Sequence, residues 1–187
     1  FRDTIRACDR LLAEFADWSL WSELTADEDA SRLNNTAVAQ PAIFAVQVAL
    51  AELWKSWGIT PAAVIGHSAG EIAAAHVAGL LSLPEAARIV FHRGHTMDRL
   101  SSKGAMMAVG LPHAEARAAI AGVEESVAVA ASNSPRSATL SGKPQALETV
   151  ARRLAERDVF TRMLRVDYAF HSPLLDPVRE DLLRALG

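Results

Sequence analysis

A single cysteine, Cys8, is all that the 187 residues offer, so no internal disulfide can form and a reducing cytosol suits the chain. The sequence shows no cluster of Lys and Arg, and its net charge is −3, which gives no footing for nucleic acid. No uncharged apolar run approaches the ~18 residues of a membrane span, so no membrane partner is expected. No cluster of His, Cys, Asp and Glu has metal-ligand spacing, and no metal is expected. Internal repeats and low-complexity linkers are missing too. The chain starts at Phe1, without Met or a signal pattern. It therefore reads as a segment of a larger chain, cut at both ends.

What is present is an ordinary globular composition, half hydrophobic and 22% charged. Phe1 to Leu12 reads as a helix with Ile5, Cys8, Leu11 and Leu12 on one side. A charged loop follows from Thr25 to Asn35. Pro41 is read as opening a long helix, Ala42 to Trp57, apolar on more than one stripe and hence largely buried. Ala62-Ala63-Val64-Ile65 is read as a buried strand that turns at Gly66 to Gly70 into a helix from Glu71 to Gly79. Ser82 and Glu85 have capping-box spacing around Pro84 and open a helix running to about Leu100.

From Gly104 the pattern changes. Strands are expected at Ala105–Val109, Val127–Ala131, Ser137–Leu140 and Phe160–Val166, with helices at His113–Ala121 and Gln145–Arg157. That order is β-α-β-β-α-β, the ferredoxin-like unit. The expected fold is α/β: an α/β-hydrolase-like parallel-sheet core formed by 1–103 and 167–187, with a ferredoxin-like subdomain of 104–166 inserted in it. A last helix is expected from Pro177 to Gly187.

Gly66-His67-Ser68-Ala69-Gly70 fits G-x-S-x-G. A strand that turns sharply into a helix at a serine needs residues without Cβ atoms on either side. Such a turn presents the Ser68 hydroxyl and aims the helix start at the reacting oxygen, which makes the Ala69 N–H a natural oxyanion donor. The nucleophile needs a base. Of six histidines, His67 is a neighbour that a tight turn points away, His76 reads as packed or surface-lying, and His113 reads as a helix-start residue. His92 and His95 lie on the helix after Ser82. His171 follows Tyr168-Ala169-Phe170 and precedes the loop signal Ser172-Pro173. Position alone leaves it open between general base and ordinary loop histidine.

Gly66-His67-Ser68-Ala69-Gly70-Glu71, Gln40-Pro41-Ala42, Arg93, Asn133-Ser134-Pro135, Ser141-Gly142 and Tyr168-Ala169-Phe170-His171-Ser172 occur in an order that resembles the acyltransferase domains of modular polyketide synthases. Those are relatives of malonyl-CoA:acyl carrier protein transacylases. The resemblance runs over nearly the whole chain. It implies a ping-pong reaction: Ser68 takes an acyl group from CoA with His171 as base, and the phosphopantetheine thiol of an acyl carrier protein then removes it. In that family backbone carbonyls orient the histidine, in keeping with the lack of a clear Asp candidate here.

Arg93 matches the family's carboxylate-binding arginine; without the resemblance it reads as a surface arginine paired with an acid. Gln40 matches a glutamine near the active site, or else a polar neighbour of Pro41. Asn133 is a cleft-shaping or a turn-forming residue. His67, Tyr168 and Phe170 are further substrate-site candidates. A His-Ala-Phe-His tetrad goes with malonyl and Tyr-Ala-Ser-His with methylmalonyl. Tyr168-Ala169-Phe170-His171 is a hybrid. Phe170 fills the space of an α-methyl group and Ala69 replaces the glutamine usual in methylmalonyl domains, so malonyl is predicted; Tyr168 points the other way.

No bound cofactor is expected, with acyl-CoA as donor and phosphopantetheine carried by the partner. The resemblance further implies a cytoplasmic multidomain protein with a neighbouring ketosynthase domain. The family's Gly-Gln-Gly-Ser-Gln type opening, which supplies a second oxyanion donor, does not precede Phe1, and the family continues beyond Gly187. Little transfer is therefore expected from these residues alone. Two rivals share the pattern. A serine esterase of the α/β-hydrolase kind has the same elbow but needs an acid between Ser and His, and Asp167 lies too near His171 in sequence. A non-catalytic module would not need Ser68, His171 and Arg93.

Overall fold

A computed structural model describes residues 1–99 and 104–187. They form two compact units, 1–99 with 181–187, and 104–180. The fold is mixed α/β with one small antiparallel sheet.

The first unit is helical. α1 (Arg2–Leu12) buries Ile5, Cys8 and Leu12. Burial pushes the Cys8 thiol up to about 11, so it stays protonated and packs as a small apolar residue. A short α2 (Leu20–Thr25) lies where the sequence suggested only the approach to a charged loop; the Ser19 side chain caps it by accepting from the Ser22 N–H. Within it, buried Glu23 accepts from the Arg32 backbone and guanidinium at 2.8 Å, which ties down the following loop and lowers the Glu23 pKa.

α3 (Thr36–Ser56) starts six residues before its expected opening at Ala42. Asn35 caps it through the Ala37 N–H at 2.8 Å, and Pro41 lies inside the helix. Proline in the second turn removes one ladder bond, which a well-capped and buried helix tolerates. By length and composition alone α3 is apolar enough to cross a bilayer, against the sequence reading. Here Phe44, Ala45, Val48 and Ala49 instead fill the core of the first unit with Ala86, Ala87 and Val90.

α4 (Gly70–Val77) follows the serine turn. α5 (Leu83–Asp98) has the expected capping box: Ser82 and Glu85 satisfy each other's backbone N–H groups. The part of that helix expected near Leu100 lies outside the described residues. α5 packs along α3. Gly94 allows the approach, since a Cβ there would lie 3.1 Å from the Thr36 carbonyl oxygen.

The expected parallel-sheet core is not found among the described residues. Ala62-Ala63-Val64-Ile65 is irregular chain, and Ile65 is 97% exposed. A strand exists only where a neighbour takes its hydrogen bonds, and none of the described residues pairs with this segment.

The second unit is the β-α-β-β-α-β arrangement: β1 (Ala105–Val109), α6 (His113–Ala119), β2 (Val127–Ser134), β3 (Ser137–Gly142), α7 (Pro144–Ala155) and β4 (Thr161–Met163). The sheet order is β2-β3-β1-β4, all antiparallel. Met107, Val109 and Leu140 from the sheet pack with Leu147, Val150 and Leu154 from α7. β2 runs on to Ser134 because its end pairs with Ser137. β4 is shorter than expected, pairing only over Thr161–Met163 with β1. A 3-10 turn (Pro173–Leu175) leads to α8 (Asp176–Leu186).

Ser141 and Gly142 at the end of β3 make opposite predictions. The Ser141 hydroxyl is buried without a hydrogen-bond partner, so Ser141→Ala should raise stability to denaturant by about 1 kcal/mol. A Cβ at Gly142 would collide with the backbone of Ser126 and Val127, so Gly142→Ala should lower stability by about 2 kcal/mol or more. Urea titrations of the two variants against wild type check both signs.

Candidate active site

The serine turn is built by backbone constraint. Ser68 has φ of 55°, in the left-handed region. Such a conformation costs a non-glycine residue energy and is held only by its surroundings. The holding groups are close by. A Cβ on Gly66 would collide with the Glu71 Cα and N atoms. The N–H groups of Gly70, Glu71 and Ile72 donate to the carbonyls of His67, Ser68 and Ala69 at 3.0, 3.1 and 3.3 Å, which closes the turn into α4. Gly66 is thus required by space. Gly70 is not: a Cβ there would meet only the Gln47 amide, in ordinary contact at 3.4 Å. Ala69 is the N-cap of α4, so its N–H lies ahead of the helical ladder.

Three sequence candidates meet in the first unit. Arg93 on α5 donates from Nη2 to Ser68 Oγ at 3.3 Å and from Nη1 to Gln40 Oε1 on α3. Gln40 is buried and donates its Nε2 to Met97 Sδ at 3.4 Å. Burial lowers the Arg93 pKa, with the Glu71 carboxylate opposing that shift. Arginine stays cationic under such a shift. Among the described residues none of the ion pairs includes Arg93. Glu71, quoted in the sequence only as the end of the serine motif, and Met97, which carried no signal there, complete these surroundings.

The other candidates lie in the second unit. His171 has φ of 59°. Its turn is pinned by Ser172, whose buried hydroxyl donates to the Ala169 carbonyl at 2.7 Å and accepts from the Leu174 N–H. Ala169 is buried against Gly104, where a Cβ would collide with it. Tyr168 and Phe170 stack, ring centroids 3.9 Å apart and 14° from parallel. Burial, then the charge of Asp167, raises the Tyr168 pKa and keeps the phenol neutral. Gly104 and Ser172 were not singled out in the sequence as supports of this turn. Ser172 alone carried a signal, the Ser-Pro loop pair.

The remaining candidates are placed as follows. His67 is exposed, and its carbonyl serves the serine turn. Asn133 sits in β2 rather than in a turn, and its Nδ2 donates across the sheet to Thr139 Oγ1 at 3.0 Å. His76 holds the Leu81 carbonyl at 2.9 Å and lies edge-on to Phe44. An apolar hollow of about 650 Å³, lined by Trp54, Ile59, Val64, Ile65 and His67 among others, lies beside the serine turn; neither Ser68 nor Arg93 lines it. Among the described residues no group of three His, Cys, Asp or Glu is placed to hold a metal.

A left-handed serine at a helix start thus lies in contact with a half-buried arginine. The family model for the acyl transferase domain matches residues 1–187, and the chain belongs to that family. Its relatives are polyketide synthases. It is 46% identical over 187 residues to erythronolide synthase EryA2 of Saccharopolyspora erythraea, covering all of this chain and 5% of the relative. It is likewise 46% identical over 188 residues to the spectinabilin polyketide synthase system protein NorA' of Streptomyces orinoci, again covering 5% of it. The chain therefore spans a small fraction of these relatives. Among solved structures, the acyltransferase domain from module 8 of the salinomycin polyketide synthase superposes with a TM-score of 0.94 at 40% identity, over 98% of this chain and 44% of that one. The loading acyltransferase of the avermectin modular polyketide synthase gives 0.92 at 41% identity, over 99% and 59%.

Gly66→Ala should disrupt the serine turn while leaving the second unit folded. A displacement of about 1 Å at a reacting atom can cost 10²-fold, so covalent acylation of Ser68 should fall by about that factor. Labelling at the wild-type rate would show that the turn does not depend on Gly66.

Proposed function

We propose that this chain moves a malonyl extender unit from CoA to the phosphopantetheine thiol of an acyl carrier protein, through an acyl-Ser68 intermediate, in polyketide synthesis. The carrying observation is a half-buried arginine without an ion-pair partner among the described residues, in contact with the nucleophile candidate. A partly desolvated cation in that position favours an acyl group that bears its own carboxylate. Acetyl or neutral ester groups leave it unmatched.

In this reading the malonyl carboxylate takes the Arg93 Nη2 donor from Ser68 and frees the hydroxyl. Ser68 Oγ attacks the thioester carbonyl as His171 takes its proton. The Ala69 N–H stabilises the oxyanion. The C–S bond breaks, and CoA leaves as a thiol with the proton from His171. The carrier's thiol then attacks the acyl-serine, His171 accepts the thiol proton, and the serine oxygen recovers a proton as it leaves. No resident cofactor takes part. Gln40, His67 and Asn133 line or shape the substrate site, Gln40 by way of Arg93. The setting is cytoplasmic, next to a ketosynthase domain of the same chain.

Malonyl is favoured over methylmalonyl by Phe170. Its ring is braced by the stack with Tyr168, so it does not swing aside easily to admit an α-methyl group. One methyl in a pocket is worth only ~1–3 kcal/mol. With the two CoA esters at equal concentration, malonyl-serine should predominate in the full-length protein, and Phe170→Ser should shift the ratio toward methylmalonyl by about tenfold. A methylmalonyl majority in the wild type would overturn the extender assignment. An acyl-serine that water clears as fast as the carrier does would favour an esterase.

A further inference from the structure

We infer that Gln40 is a positioning residue that aims Arg93 while leaving its charge unneutralised, and so selects carboxylated over neutral acyl groups. This rests on the reading of Arg93 as the carboxylate anchor. Gln40 lies on α3 and is 6% exposed. Both ends of its amide are engaged, the oxygen by Arg93 Nη1 and the nitrogen by Met97 Sδ. The amide has one workable orientation here, because a guanidinium only donates and a thioether sulfur only accepts. The Gln40 oxygen thus fixes one arm of the guanidinium, and the other arm reaches Ser68 Oγ.

An acid would hold the same arm more strongly, but it would pair the charge. A buried ion pair satisfies the cation and removes its pull on an incoming carboxylate. A neutral acceptor orients the guanidinium and leaves the charge unmatched. The nearest anionic influence on Arg93 is Glu71, which acts on it through space. The choice of an amide at position 40 therefore separates aim from charge compensation.

The test compares initial serine acylation by malonyl-CoA and by acetyl-CoA in the full-length protein, read by intact mass, for wild type, Gln40→Glu, Gln40→Met and Arg93→Ala. Gln40→Glu should lower the malonyl-to-acetyl loading ratio at least about tenfold, the scale of one charge-assisted hydrogen bond, with the change in KM for malonyl-CoA. Gln40→Met, which keeps the volume but loses the acceptor, should lower the ratio in the same direction. Arg93→Ala should abolish the preference. If Arg93→Ala abolishes it while both Gln40 variants keep the wild-type ratio, the inference fails and the Arg93 reading stands. If Arg93→Ala leaves the ratio intact, the Arg93 reading itself fails. Thermal melts report folding; should Gln40→Glu not fold, Gln40→Met decides, and an equal loss with both CoA esters overturns the inference.

Discussion

A half-buried guanidinium is the constraint around which the first unit's candidate site is arranged. Arg93 is partly withdrawn from water, and the donors on its buried side must be met by the protein. Two elements meet them. α3 supplies the Gln40 carbonyl, and the turn before α4 supplies the Ser68 hydroxyl. The first depends on how closely α3 and α5 approach, and that approach runs through Gly94 against the first turn of α3. A helix cap at Asn35 fixes where that first turn begins. The place of the Arg93 guanidinium beside Ser68 is thus linked to helix packing.

Ser68 and His171 both take left-handed backbone conformations. Each is secured by its own means, Ser68 by Gly66 and the first bonds of α4, His171 by Ser172 and the buried Ala169 against Gly104. Residues held in such conformations gather where the direction of a side chain matters more than the local cost.

Much of this was legible in local sequence. The Ser82–Glu85 capping box formed as its spacing required, and the β-α-β-β-α-β order of the second unit followed from alternating apolar runs and turn residues. Other parts depended on partners that spacing does not reveal. Pro41 reads as a helix start, yet Asn35 caps the helix six residues earlier. Ala62 to Ile65 has strand composition, but composition cannot supply the neighbouring strand that makes a ladder. The Arg93–Gln40 bond joins residues 53 apart in sequence, so no periodicity signals it. The resemblance named both residues, and their contact became visible only in three dimensions. Asn133 reads as a turn residue beside Ser134-Pro135, whereas its bond to Thr139 places it in the sheet.

The central claim is that Ser68 carries a carboxylated acyl group during turnover. Intact-protein mass spectrometry of the full-length protein after mixing with malonyl-CoA tests it most directly, with Ser68→Ala alongside. The expected result is a malonyl adduct on wild type, located by peptide mapping to Ser68, and none on the variant. No adduct on wild type, or one that survives in Ser68→Ala, would contradict it.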